Sequence, residues 1–175
     1  MDFQLIINNF LVILQGLDET LVLIFLSLII GFFISIPFAL ARVSSIKILS
    51  QSVYYYIFVI RGTPLLVQIY LIYFGLGSIK AVRESFLWIL LKEPFWCGVI
   101  ALVINTVAYT TEIFRGGIQS VTKGQIESCK SLGMNKFTMY FKIILPCAFR
   151  QALPAYGNEI ILMVKATSLV SLTTY

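Results

Sequence analysis

The sequence predicts an all-α, polytopic membrane helical bundle, built as a single domain of 175 residues. Three observations predict it. The chain is 59% hydrophobic, with a mean hydropathy of +0.92. Only 12% of its residues are charged, against roughly a quarter in soluble domains. Several windows reach the roughly 20 apolar residues that cross a bilayer core. The same composition excludes other classes. With no histidine in the chain, neither zinc ligation nor histidine base catalysis is expected. Cys97, Cys129 and Cys147 are odd in number and too far apart for a CxxC pair, so they read as free thiols. No catalytic residue and no metal site are expected. The net charge of +5 sits in loops beside spans, where membrane topology explains it better than nucleic acid does.

Residues 1–16 are apolar, contain Asn8, Asn9 and Gln15, and lack Lys and Arg, a pattern that fits a short interfacial helix. The N-terminus has no basic n-region or small-residue cleavage site, so it does not read as a cleaved signal peptide. After Asp18 and Glu19 an uncharged run forms the first span, about 20–41. Gly31 and Pro37 inside it are compatible with a membrane helix. Arg42, Lys47 and the serines between them make a short basic loop. The second span, about 53–77, contains Arg61-Gly62-Thr63-Pro64. That arginine reads equally as snorkelling from a helix end or as marking a break that lines a polar cavity. In 78–94, Lys80, Arg83 and Lys92 mix with Glu84 and Glu93 around the apolar hexad 86–91. The hexad is too short to cross and is expected to lie along the membrane surface. The third span is about 95–114 and the fourth about 152–174.

Between the last two spans lies a polar insert, about 119–150. Lys123, Lys130, Lys136, Lys142 and Arg150 stand in it with a single acid, Glu127. Gly133 interrupts its helical pattern and Pro146 closes it, which predicts a basic helix-turn-helix. The loops 42–52 and 115–150 hold eight Lys or Arg, and the segments 1–19 and 78–94 hold three. The positive-inside rule therefore places the N-terminus outside and the insert in the cytoplasm.

Polar residues also occur within the spans. Asn105, Tyr109 and Glu112 fall at i, i+4 and i+7, on one helix face. Such groups turn toward protein or water, and part of this stripe reads as helix–helix contact. Glu112 and Arg115 are spaced to pair. In the fourth span Asn158 and Lys165 share a face, while Glu159 points elsewhere, toward Met163 and Ala166. A mid-span lysine costs about 2.5–3.5 kcal/mol on the insertion scale. It reads either as the partner of a carboxylate on another helix or as part of a transport path.

Within the insert, Glu127, Gly133 and Ile143-Ile144-Leu145-Pro146 have the spacing E-x5-G-x9-I-x-L-P. This resembles the EAA loop of permease subunits of ABC importers, with Ser128 and Cys129 where two alanines usually stand. Longer matches extend it: Arg61 to Gln68 (RGTPLLVQ), Ala108 to Ile118 (AYTTEIFRGGI), Gly124-Gln125, and Leu153 to Glu159 (LPAYGNE). Together they are similar to the polar amino acid branch of that family. With Arg42-Val43-Ser44-Ser45 and the run from Ala155 to Met163, the arrangement is most similar to M-type permeases of histidine/lysine/arginine/ornithine importers.

The resemblance implies a type I importer permease that moves polar, basic amino acids inward across the bacterial inner membrane. It implies an ATPase-coupling loop that includes Gly124, Gln125, Glu127, Ser128, Cys129, Gly133 and Pro146. Asn105, Tyr109, Glu112, Asn158, Glu159 and Lys165 are the candidates for the substrate path. The small residues at 128 and 129 would let another surface approach, and Glu127 can accept hydrogen bonds from an arginine across it. The chain has no G-x-x-x-x-G-K-[ST] element, so ATP and Mg belong to a separate ATPase subunit. The other expected partners are a second permease subunit, like or unlike this one, and a periplasmic or lipid-anchored amino acid-binding protein. Family members continue past the equivalent of Thr167-Ser168-Leu169 into a fifth span, so the chain is expected to be cut short before a last helix. A truncated scaffold or inactive permease is the alternative function. An intramembrane enzyme finds no nucleophile with its base here.

Overall fold

The computed structural model describes the backbone of residues 3–173 and the side chains of residues 16–171. All regular elements among them are helical. They are α1 (Phe3–Arg42), α2 (Lys47–Gly62), α3 (Leu65–Tyr70, widening into a π-helical stretch over Leu71–Leu76), α4 (Lys80–Arg83) and α5 (Trp88–Leu91). There follow α6 (Pro94–Gln119), α7 (Lys123–Ser131), α8 (Lys136–Met139), a π-helical stretch (Tyr140–Ile144) and α9 (Leu145–Ala166), which ends in a 3₁₀ turn (Thr167–Thr173).

The bundle is organised on α6, which packs against α1, α9, α2 and α3. Lipid gives helices no hydrophobic reason to associate, so close approach of small residues has to supply the contact. Both main interfaces are built that way. On α1, Ser27, Gly31, Ser35 and Ala39 recur every fourth residue and are all buried. A Cβ on Gly31 would lie 2.7 Å from Thr106 Cγ2 of α6. At the other interface, a Cβ on Gly117 of α6 would overlap the Ala148 carbonyl oxygen of α9. Phe32 of α1 then joins the three helices, meeting Phe114, Phe149 and Tyr156 edge-on at 5.4, 6.2 and 5.6 Å.

Several element boundaries depart from the sequence expectation. Residues 3–16 are not a separate interfacial helix; they continue into the first span, giving a 40-residue α1 about 60 Å long. Residues 1 and 2 lie outside the described residues. The second span is not one helix, because α2 and the Leu65–Leu76 segment meet at 104°. The third runs on to Gln119. The fourth begins at Leu145, and Pro146 does not close the insert. The π-helical stretch just before it loosens the turn that a proline ring would otherwise strike, so helix continues from Lys136 to Ala166. Residue 174, the expected end of that span, lies outside the described residues. In the hexad, Leu91 is buried and its carbonyl accepts from the Cys97 thiol at 3.2 Å, while Phe86, Leu87 and Ile89 are exposed.

By length and composition alone, α1 and α6 each suffice to cross a bilayer, and the bent α2–α3 pair does so if it is one span. The remaining long helix, α9, carries Arg150, Glu159 and Lys165. One of these, Glu159, faces the functional site.

Candidate functional site

The site begins at the break in the second span. Thr63 precedes Pro64, which disfavours the helical conformation at 63. Thr63 and Pro64 are both extended, with φ/ψ of −113°/141° and −62°/137°. Breaking a helix in a membrane frees carbonyls that lipid cannot satisfy. Gln68 satisfies two of them, those of Ile60 and Thr63. The two protons of its Nε2 are shared among Ile60 O (2.7 Å), Thr63 O (3.0 Å) and Thr63 Oγ1 (2.9 Å). The Thr63 hydroxyl donates in turn to Val59 O at 3.0 Å. Gln68 is itself buried, and its Oε1 accepts from Asn105 Nδ2 of α6 at 3.1 Å. A second strut, the Tyr56 hydroxyl donating to Ile104 O at 2.6 Å, fixes α2 against α6.

Arg61, in the last turn of α2 just before the break, is exposed at the cavity's edge. Its guanidinium lies 4.9 Å from the centre of the Tyr109 ring, within cation–π range. Of the two readings of this arginine, the structure gives the break that lines a polar cavity. That cavity has a volume of 460 Å³ and is bounded by Arg61 to Leu65, by Leu102, Asn105, Thr106 and Tyr109 of α6, and by Glu159, Leu162, Met163 and Ala166 of α9. Glu159 is 8% exposed, and no described side chain donates a hydrogen bond or an ion pair to its carboxylate. A second cavity of 380 Å³ adjoins it, lined by Tyr54, Ile57, Phe58, Arg61, Gly62, Tyr109 and Glu112. Arg61 and Tyr109 border both.

The structure thus brings Asn105, Tyr109 and Glu159 together and places Glu112 next door. Glu112 is not a free carboxylate. Its Oε2 lies 2.7 Å from Arg115 Nη2, and its Oε1 lies 3.6 Å from Arg42 Nε at the end of α1. Arg115 also donates to Gln119, and Arg42 also donates to Ser50 and stacks on Tyr54. Asn158 and Lys165 are exposed and line neither cavity. Lys165 therefore has no carboxylate partner among the described residues, and the cation in the cavity is Arg61. The sequence marks Gln68 only by its place in RGTPLLVQ; an amide one turn past a Thr-Pro break is the signal that could have found it. A third cavity, of 370 Å³ between α1, α6 and the start of α9, is lined by apolar side chains such as Phe32, Phe114 and Phe149. It offers nothing to orient a polar solute.

The insert is a separate small fold. Thr122 caps α7: its Oγ1 accepts from Gln125 N at 3.4 Å while Gln125 Oε1 accepts from Thr122 N at 3.2 Å, a capping box. Gln125 is thus committed locally. α7 ends on Gly133, whose φ of +70° is the one positive φ among the described residues, and Met134 N reaches back to Cys129 O at 3.1 Å. Glycine is favoured there because a Cβ strains the left-handed conformation. Asn135 then caps α8 through Thr138 N at 2.8 Å. Val121, Cys129, Met139 and Ile144 form a core of their own between α7 and the start of the last helix. Contrary to the sequence expectation, Cys129 is therefore a core residue and not a surface for close approach; Ser128 alone of the pair is exposed. Glu127 is exposed, and so, without any sequence signal, are Leu132 (76%) and Phe137 (72%). Gly124 is open on all sides, and a Cβ there would meet nothing within 4 Å.

The family described as binding-protein-dependent transport system inner membrane component matches residues 28–175. The chain is 51% identical to the nopaline transport system permease protein of Agrobacterium fabrum, over 99% of this chain and 73% of that one. It is 48% identical to the octopine transport system permease protein of Rhizobium radiobacter, over 95% and 68%. It is 43% identical to the histidine/lysine/arginine/ornithine transport system permease protein of Escherichia coli, over 91% and 67%. Among solved structures, an amino acid ABC transporter with histidines superposes with a TM-score of 0.85 at 40% identity, covering 100% of this chain and 78% of that one.

Proposed function

The chain belongs to the family of binding-protein-dependent transport system inner membrane components, and from that premise we infer that it carries a basic amino acid through the cavity between Arg61 and Glu159. It is a permease subunit of an amino acid importer, a membrane protein whose family works with an ATPase and a binding protein.

One observation carries the choice of substrate. The cavity holds one cation and one carboxylate on different helices, with no ion pair between them among the described residues. A zwitterion fits such a cavity: its α-carboxylate meets Arg61, and its cationic end meets Glu159. A buried intramembrane carboxylate that lacks a protein partner is expensive, so a solute whose cationic end pairs with Glu159 relieves it, while its α-carboxylate meets the exposed Arg61. Relatives named for nopaline, octopine and histidine/lysine/arginine/ornithine support this reading. A substrate that leaves the Glu159 cavity for the Glu112 cavity passes the Arg61–Tyr109 pair, which borders both. Glu112, held by Arg42 and Arg115, ties α1 to α6 beside that route. Asn158 and Lys165, which line neither cavity, take no part in it.

The loop, with Glu127, Ser128, Leu132 and Phe137 exposed, is the surface that meets the cytoplasmic ATPase, where ATP and Mg are bound. Gly124, Gln125, Gly133 and Pro146 are exposed on the same loop, and Gln125 and Gly133 also shape it through the capping box and the turn. The basic loops put the insert in the cytoplasm and the N-terminus outside. The permease works as a pair with a second copy or an unlike homologue. This chain contributes binding and movement, not catalysis.

The test is Glu159→Gln in the reconstituted importer. Uptake of arginine and lysine should fall about tenfold or more relative to glutamine, the scale of one lost charged contact. An equal fall for cationic and neutral amino acids assigns Glu159 to the fold instead.

A further inference from the structure

We propose that Gln68 sets the hydrogen-bonding polarity of the substrate cavity, by forcing Asn105 to present its carbonyl oxygen, and not its amide nitrogen, to the solute. The inference rests on the preceding reading of the cavity and adds a specificity-determining residue to it.

The direction of each amide in a Gln–Asn pair is ordinarily ambiguous, because each carries a donor end and an acceptor end. Here the ambiguity is removed at one end of the chain of bonds. The groups at the helix break are the backbone carbonyls of Ile60 and Thr63, and a carbonyl can only accept. The end of Gln68 that faces them must therefore be its NH₂. The hydroxyl of Thr63 is consistent with this, because it spends its own proton on Val59 O and accepts from Gln68. With Nε2 fixed, the other end of Gln68 is an acceptor, and what meets it must donate. Asn105 meets it with Nδ2 at 3.1 Å. No described residue donates to Asn105 Oδ1, and Asn105 lines the cavity. The free end of Asn105 is thus an acceptor.

Reversing Asn105 would place its oxygen against Gln68 Oε1, and relieving that clash by reversing Gln68 would place an oxygen against two carbonyls. A helix break four residues upstream of Gln68 in this way fixes a side chain on another helix. An acceptor beside Glu159 favours solutes rich in N–H donors, such as guanidinium and ammonium groups. It disfavours groups that offer a carbonyl at the same place.

Arginine and citrulline test this, since they are close in shape and differ by a guanidinium against a ureido group. The assay is equilibrium binding of radiolabelled arginine, with citrulline as competitor, to the purified permease–ATPase assembly without the binding protein. The wild-type assembly should prefer arginine. Gln68→Met keeps the side-chain length but frees Asn105 to rotate, and the preference should fall about tenfold, the scale of one hydrogen bond to a charged group, with citrulline binding retained. Should Gln68→Met fail to assemble, Asn105→Leu answers the same question: it removes the acceptor from the cavity without touching the helix break, and should abolish the preference. A wild-type preference that Gln68→Met or Asn105→Leu leaves unmoved overturns the proposal alone. A wild-type assembly that binds both ligands equally removes the basic-substrate reading and this proposal with it.

Discussion

The contact between α6 and α9 can be tested with a single methyl group. Gly117 and Gly116 are neighbours on the same helix, but they face different surroundings. A Cβ at Gly117 would sit on the Ala148 carbonyl oxygen and 3.2 Å from Ala152 Cβ, whereas one at Gly116 meets nothing within 4 Å. Gly117→Ala therefore forces α9 away by about 1 Å to restore ordinary contact distances. Overpacking of this kind typically costs about 1–3 kcal/mol. Gly116→Ala has no such cost and should stabilise slightly, by about 0.4–1 kcal/mol, through the unfolded chain. For a chain of this size each kcal/mol moves the melting temperature by about 2–4 °C. The two variants should thus differ by several degrees in a detergent melt followed by size-exclusion fluorescence, with Gly117→Ala the lower. Because α6 carries Asn105 and Tyr109 and α9 carries Glu159, Gly117→Ala should also weaken arginine binding, and Gly116→Ala should not. Equal melting temperatures for the two would refute the view that close approach of backbones holds α6 to α9.

The insert gives two further predictions. Glu127→Lys should abolish co-purification of the ATPase in detergent while leaving membrane insertion and the melting temperature of the permease unchanged; normal ATPase recovery would show that the exposed carboxylate is not at the contact. Gly133→Ala places a Cβ on a residue with φ of +70°, at a cost of roughly 1–2 kcal/mol. Limited proteolysis should then cut between α7 and α8 faster than in the wild type, and an unchanged rate would mean that the turn tolerates the strain.

What the sequence revealed and what it hid follow from the range of the interactions involved. Helical periodicity is local, so the face shared by Asn105, Tyr109 and Glu112, and the separation of Glu159 from Asn158 and Lys165, are both present in the fold. Which face of α9 turns inward is not local. Asn158 and Lys165 offer a polar face as good as that of Glu159, and the packing of α9 on its neighbours decides between them, with Ala148 on Gly117, Tyr156 on Phe32 and Met163 on Thr106. Arg61 has two readings in the sequence because the consequence of Thr63-Pro64 depends on whether the freed carbonyls find a donor, and that donor is Gln68. Cys129 looks like a small surface residue by analogy with alanine; the turn at Gly133, which folds α7 back onto Met139 and Ile144, makes it core. Pro146 looks like a helix stop because a stop is its usual effect, and the π-helical stretch ahead of it removes the cause.

That stretch also bears on how the loop and the cavity communicate. Had Pro146 ended the insert, a flexible joint would lie between the surface proposed to meet the ATPase and the helix that carries Glu159. Instead helix runs without interruption from Lys136 to Ala166, and the distance from Met139 to Glu159 is about 30 Å of rod at the helical rise. At the other end of the loop, three residues, Ser120 to Thr122, join α7 to α6, the helix that carries Asn105 and Tyr109. Val121, in that link, is packed in the same small core as Met139 and Ile144. The loop is therefore a stiff clamp across the bases of the two helices that line the cavity, and Gly117 against Ala148 pins those helices together just above it. A displacement of the clamp cannot be absorbed by bending at the loop. It has to appear as rotation of α6 and α9 as a pair, relative to α2, whose hydrogen bonds to α6 are the ones made by Tyr56 and, across the break, by Gln68. Packed elements of this kind switch between discrete arrangements rather than deform continuously. The Gln68–Asn105 contact then lies where the moving pair meets the broken span, so the bond that sets the cavity's polarity is also among the first that such a rotation would strain.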